Sequence, residues 1–363
     1  MKMLPQRLLV SCTLSASLAL AAVLAPLPSA SAKEVWTDSK AADLPKDFQV
    51  QGEYEGSAEG GDKLGIQVIA LGKGAFQAVI HPGGLPGAGW KGEEKFLMDG
   101  TTEGEAIEFK PAAGDRKYLA QAPGEFSAIS GPHRNSDKKW SATWSSDELK
   151  GKTHEGKSFT AKKTTRVSPT MGAKAPEGAV VLFDGKSTDK WKGGRADEAT
   201  GFLNTDGNDV TTKDKYGSYT LHLEFMLPYR PDARGQGRGN SGVYMVDHYE
   251  LQVLDSFGLA GKDNECGGIY QKASPKVNMC LPPLTWQTYD IEFTKAETDA
   301  DGKKTKNAIL SVRHNGVPIH ENLELTGKTG GARAEPEGTP GPIKLQGHGN
   351  PLQYRNIWLV EKK

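Results

Sequence analysis

The sequence predicts an all-β protein built from two domains, and three observations carry that reading. Apolar and polar residues alternate at period two along many short runs, as they do in strands with one buried face. Glycine supplies 44 of 363 residues, with 21 prolines, so the runs are separated by frequent turns. No stretch with helical spacing lies between them, which removes the parallel α/β classes. At roughly 100–200 residues per domain, the length divides into two.

The first element is a processing segment. Lys2 and Arg7 precede an apolar stretch from Leu8 to about Leu27, and Ala30-Ser31-Ala32 forms a small-residue cleavage signal. Residues 1–32 are therefore expected to be a signal peptide, and the protein to be exported to a periplasm or the outside. Lys+Arg and Asp+Glu are equal at 45 each. Cleavage removes two cations and leaves a net charge of −2. Such a balance provides no basic face for nucleic acid. No later apolar run reaches the ~18 residues of a membrane span. The sequence does not specify an oligomeric state.

Residues 33–167 read as an accessory β-domain, a small barrel or sandwich. Alternation is evident in Phe48–Tyr54, Gly65–Leu71, Ala75–Ile80, Ala106–Phe109 and Trp140–Trp144, and Leu71-Gly72-Lys73-Gly74 fits a hairpin turn. Residues 168–178, rich in Pro and Gly, read as an extended, solvated linker. The second domain, 179–363, has clearer strands. Tyr219, Leu221, Leu223, Phe225 and Leu227 alternate with polar neighbours, as do Tyr249, Leu251 and Val253, then Tyr289, Ile291 and Phe293. His314-Asn315-Gly316 joins two further runs, and Asn-Gly is a strong hairpin signal. An antiparallel sandwich accounts for this pattern.

Candidate chemistry gathers between Arg238 and Asp255. In Tyr249-Glu250-Leu251-Gln252-Val253 the pleat puts Glu250 and Gln252 on the face opposite the apolar residues. That face is either solvated or the floor of a groove. His348 lies in Gly347-His348-Gly349, where an imidazole could move protons near neutral pH or simply bond backbone. Arg355 and Asn356 follow in the last strand, able to bind an oxygen-rich ligand or pair with a carboxylate. No His-Glu-x-x-His, zinc-spaced Cys/His cluster or Gly-x-Ser-x-Gly elbow occurs. Past the signal peptide two cysteines remain, Cys266 and Cys280. Export favours a disulfide between them, closing a loop of about 15 residues worth about 3 kcal/mol in the chain-entropy view.

Several ordered motifs then resemble one family: RGNSGVYMVDHYELQVLDSFG, ECGGIYQ, the stretch from TWQTYDIEF to HENLEL, and GPIKLQGHGNPLQYRNIWL, after an opening VVLFDGKSTDKW. They are similar to the 3-keto-disaccharide hydrolase domain family, also described as 3-keto-glucoside 1,2-lyase/3-keto-2-hydroxy-glucal hydratase, over about residues 179–363. The resemblance implies a concanavalin A-like jelly roll and an oxidised disaccharide or glycoside as small-molecule substrate. A ketone on sugar carbon 3 acidifies the hydrogen on carbon 2. A base removes it, the aglycone leaves carbon 1, and water then adds to the glycal. Glu250 and His348 are the expected base and acid, in either order. Asn240, Gln252, Arg355, Asp255 and Arg238 are the expected sugar-binding residues. No cofactor is specified; a divalent metal cation is the one candidate assistant.

Two rival functions use the same residues. A retaining glucanase needs two carboxylates about 5–5.5 Å apart, but the comparable positions are Glu250, Gln252 and Asp255, with an amide in the middle. A non-catalytic carbohydrate-binding module would need only the groove.

Overall fold

Eight of the alternating runs pair in chain order into a closed antiparallel barrel: Gly52–Ala58, Lys63–Gly72, Ala75–Pro82, Phe96–Glu103, Ala106–Pro111, Ser141–Ser145, Glu148–Lys152 and Ser158–Thr164. The last strand returns to the first, Ala58 opposite Phe159. The computed structural model describes residues 35–92, 94–130 and 139–362. The expected signal peptide, 1–32, lies outside them. An eight-stranded barrel has an interior just wide enough for side chains to fill. Tyr54, Ile66, Val68, Phe76, Ile80, Met98, Phe109, Leu149 and Phe159 fill it here. The run expected to begin at Phe48 starts later. Residues Lys46–Val50 form a short helix, whose Asp47 accepts a hydrogen bond from the Gly74 amide at 3.0 Å. That contact across the barrel end outweighs the local alternation.

The remaining strands form two facing antiparallel sheets. The larger runs Arg195–Asp197, Phe202–Asn204, Gln353–Glu361, Tyr219–Met226, Trp286–Thr294, Ala308–His314 and Val317–Leu325, and Val180–Phe183 also pairs with Gln353–Glu361. The smaller runs Trp191–Lys192, Val210–Thr212, Lys344–Leu345, Ser241–Met245 and Tyr249–Val253. Between them lies one core. Leu221, Leu223, Phe225, Tyr289, Ile291 and Phe293 meet Val243, Met245, Tyr249, Leu251 and Val253. The period-two reading therefore placed the inward residues correctly. The Asn-Gly hairpin is also formed, with Asn315 at φ 50° and Gly316 at φ 78°.

The barrel is not an isolated bead. Its outward-facing Ile69, Leu71, Val79 and Leu97 belong to the same apolar cluster as the sandwich core. Lys33–Lys363 accordingly forms one compact unit. Residues 168–173, expected as a solvated tether, instead lie along the larger sheet. Ser168 Oγ is 2.7 Å from Thr288 Oγ1, Thr170 donates to Asp290 at 2.6 Å, and the Gly172 amide donates to Glu224 at 2.6 Å. The buried Glu224 and the half-buried Asp290 beneath the segment draw its donors down, a tertiary pull that composition does not encode. Among the described residues no helix is long and apolar enough to cross a membrane.

Candidate functional site

The pleat turns Glu250 and Gln252 away from the core, and the neighbouring strand does the same with Gly242 and Tyr244. The register sets Tyr244 opposite Glu250 and Gly242 opposite Gln252. This face is not solvated: Glu250 is 3 % exposed and Gln252 1 %. Segments from elsewhere roof it and leave a cavity of about 280 Å³ lined by Gln236, Asn240, Tyr244, Glu250, Gln252, Tyr270, Gly330, Gly331, Gln346 and His348. Four of the expected residues therefore meet in one groove: Glu250, His348, Asn240 and Gln252.

Glu250 is held from several sides. The Tyr244 hydroxyl donates to its Oε2 at 2.8 Å, and its backbone amide donates to Thr329 Oγ1 at 2.9 Å. Gln252 lies 2.8 Å from its Oε1 and, at its other end, 3.1 Å from Gln236 and 3.3 Å from Asn240. Burial raises the Glu250 carboxyl to about 7, opposed in part by the Tyr244 hydrogen bond and the Lys344 charge. The Lys344 ammonium lies 4.0 Å from the Tyr244 ring centre and pairs with Asp247 at 2.6 Å. A carboxyl poised near neutrality in a cavity suits proton transfer. His348 is exposed at the groove's rim, its loop fastened by Gly347 donating to Asp209 at 2.8 Å.

Gly242 makes room for this carboxylate. A β-carbon there would stand 2.8 Å from Glu250 Cγ and 3.0 Å from Cδ. Gly242→Ala is expected to displace the carboxylate and lower kcat by about 10²-fold. Steady-state kinetics beside a thermal melt checks this; full activity in a folded variant would mean that the position of Glu250 does not matter.

Three expected ligand-binding residues lie elsewhere. Arg355 is on the larger sheet, where the register sets it opposite Glu224. It pairs with Glu224 at 2.6 Å and covers the Trp286 ring at 4.1 Å. The same cluster includes His222, bonded to Asp290 at 2.6 Å. Burial opposes the charge on His222, but bonds to Asp290 and Glu224 carry its pKa upward. Glu224 is likewise disfavoured by burial yet held down to about 2 by His222, Asn356, Arg355 and the Gly172 amide. These groups fasten the 168–173 segment. Arg238 and Asp255 form a buried ion pair at 2.5 Å, with Arg238 also donating to the Ala70 carbonyl of the barrel at 3.0 Å. They join the barrel to the sandwich and leave no charge for a sugar. The expected disulfide pair, Cys266 and Cys280, meets in the core as two buried thiols in side-chain contact, with no bond formed between them; Cys266 is also 3.2 Å from the Tyr289 hydroxyl.

Tyr244, Gln236, Tyr270 and Gln346 were missed. Tyr244 was within reach, since the alternation of Ser241–Met245 sets it on the Glu250 face. Tyr270 and Gln346 arrive from loops and a strand end distant in sequence, which no local pattern reveals. Among the described residues lining the groove, Glu250 is the one carboxylate, so the paired acids of a retaining glucanase are not assembled. Among the described residues no group of three or more His, Cys, Asp or Glu could hold a metal.

The sequence profile of the 3-keto-alpha-glucoside-1,2-lyase-like domain matches residues 178–360, half of the chain. The chain belongs to this family. The keto-glucoside lyase-like domain thus spans both sheets of the sandwich and every residue of the groove. Family membership makes the protein a carbohydrate-active, glycoside-cleaving enzyme. Two crystal structures from Parabacteroides distasonis ATCC 8503, each named a "putative glycosyl hydrolase", are similar to it. One is 32 % identical over 52 % of this chain and 85 % of its own, with a TM-score of 0.47. The other is 18 % identical over 52 % of this chain and 95 % of its own, with a TM-score of 0.38. No curated protein matches the chain.

Proposed function

We propose that the groove cleaves 3-keto-glycosides by elimination followed by hydration, with Glu250 as base and His348 as acid. The observation that carries this reading is the single buried carboxyl, raised to about 7, facing an amide-lined cavity with an imidazole at its mouth. Glu250 takes the proton from carbon 2, and the electron pair moves into an enolate on the carbon 3 ketone. An amide N–H of Asn240 is the donor for that oxygen, and Gln252 holds the Glu250 carboxylate. The bond from carbon 1 to the aglycone oxygen then breaks, and His348 protonates the leaving oxygen. In the return half, water adds its oxygen to carbon 1, giving a proton to His348, while Glu250 returns its proton to carbon 2. The sum is hydrolysis, with both residues restored.

The proposal extends to three further points. Two antiparallel sheets around one core support a concanavalin A-like jelly roll. The barrel, the docked segment and the sandwich support boundaries of 33–167, 168–178 and 179–363. Lys2, Arg7 and the Ala30-Ser31-Ala32 signal support export.

Incubation with a 3-keto-disaccharide and its unoxidised parent tests the chemistry. Only the oxidised sugar is expected to be cleaved, and cleavage of the parent would overturn the reading. The pH profile supplies a second check. Glu250 must be ionised to act, so the acidic limb of kcat/KM is expected to rise about tenfold per pH unit up to about 7. A base-side limb centred near pH 4.5 would remove Glu250 from that role.

A further inference from the structure

Among the described residues the barrel contributes none to the groove lining, yet one loop connects the two. The chain from Arg230 to Asn240 leaves the larger sheet, crosses the barrel wall and enters the smaller sheet. Its barrel side is fastened at several points. Arg234 donates to the Leu71 carbonyl at 2.7 Å and lies 5.5 Å from the centre of the Phe126 ring. Gln121 of the barrel donates to the Asp232 carbonyl at 2.9 Å. Arg238, 4 % exposed, reaches the Ala70 carbonyl at 3.0 Å while paired to Asp255. The loop's other side delivers Gln236 and Asn240 to the groove, where Asn240 donates to Gln236 at 3.0 Å. Gln236 also donates to the Asn264 carbonyl at 2.8 Å, which sets its amide plane.

We infer that the barrel is a positioning element of the enzyme: through Arg234 it holds Gln236 where it reads the hydroxyl groups of the bound sugar. This rests on the groove being the substrate site. The arrangement follows from the chain's own chemistry. A loop with four glycines between 235 and 242 has little stiffness of its own. Barrel carbonyls at the end of Lys63–Gly72 provide fixed acceptors, and guanidinium groups are the donors that use several at once. Arg234 Nη1 donates to the Pro231 and Ala233 carbonyls of its own loop, at 2.5 and 2.8 Å. A rigid scaffold and a short polar loop are thereby coupled into one binding surface.

A double-mutant cycle in the full chain tests this, with a 3-keto-disaccharide as substrate. Arg234→Ala and Gln236→Ala are each expected to raise KM about fivefold with kcat within about twofold. The pair together should also raise KM only about fivefold, because both remove the same placed amide. KM effects that multiply, or an Arg234→Ala variant with unchanged KM, would overturn the inference. The exposed Gln121→Ala is the gentler second variant. Hydrogen exchange on it should speed up in the 230–240 segment while the barrel strands stay protected. Unchanged exchange in that segment would equally count against the barrel as its holder. If the native protein left the keto-disaccharide intact, the functional reading would fail, while the exchange result would still decide the mechanical one.

Discussion

Glu250→Gln is expected to lower kcat by about three orders of magnitude while leaving the fold intact. The amide has nearly the shape of the carboxyl and can still accept from the Tyr244 hydroxyl, but it cannot take a proton from carbon 2. Stability should move the opposite way to activity. Because burial raises the folded carboxyl to about 7 from an ordinary 4.5, the folded protein binds more protons than the unfolded chain between those values. The native carboxyl therefore contributes a loss of stability as pH rises through that window. Glu250→Gln abolishes it, so its Tm is expected to equal or exceed the native value at pH 8 and to match it more closely at pH 5. Single-turnover kinetics paired with melts at the two pH values measures both. Activity within tenfold of native would assign the proton to another group.

Asp255→Ala should have the largest effect on stability, a loss of about 3–5 kcal/mol. It leaves the Arg238 guanidinium buried against the barrel with its charge uncompensated, and the Ala70 carbonyl cannot replace a carboxylate. Removing both charges as Arg238→Met/Asp255→Leu is expected to recover much of that loss, since two buried ions traded for apolar groups of similar volume are often neutral. Denaturant midpoints of the three chains provide the measurement. A shift below about 1 kcal/mol in Asp255→Ala would show that water reaches the pair and that it does not bind the halves together.

The pattern of alternation made the strands legible because burial on one face imposes period two on any half-buried strand. It made Glu250 and Gln252 legible as a polar face, and the Gly-flanked His348 as mobile chemistry. The same pattern misled about Arg355. A charged residue on an outward face reads identically whether it faces a ligand or a neighbouring carboxylate, and here Glu224 occupies the opposite register position. Asp255 and Arg238 failed for a related reason. Their partners are each other and a barrel strand some 170 residues earlier in the chain, an association visible only once the barrel docks. The linker's composition suggested a tether, whereas its hydroxyl and amide groups satisfy two acids on the sheet, Asp290 and the buried Glu224. The cysteines, paired by compartment and count, do come together in the core, as two buried thiols in side-chain contact.

The placement of Gln353–Glu361 carries a consequence for how the molecule can be assembled. This strand pairs with Val180–Phe183, Phe202–Asn204 and Tyr219–Met226, so the earliest strands of the larger sheet share no common neighbour until residues 353–361 arrive. The barrel is the opposite case, each strand finding its partner in the next one along and closure alone being non-local. Contacts near in sequence form early and distant ones late. A chain emerging from its N-terminus can thus complete the barrel while the sandwich waits, its apolar strands without their central partner. The barrel's outward Ile69, Leu71, Val79 and Leu97 then give those strands a surface to rest on during the wait. Gln353–Glu361 would act as the latch of the sandwich, and a chain cut ahead of it would leave the glycoside-cleaving half open with the barrel already closed.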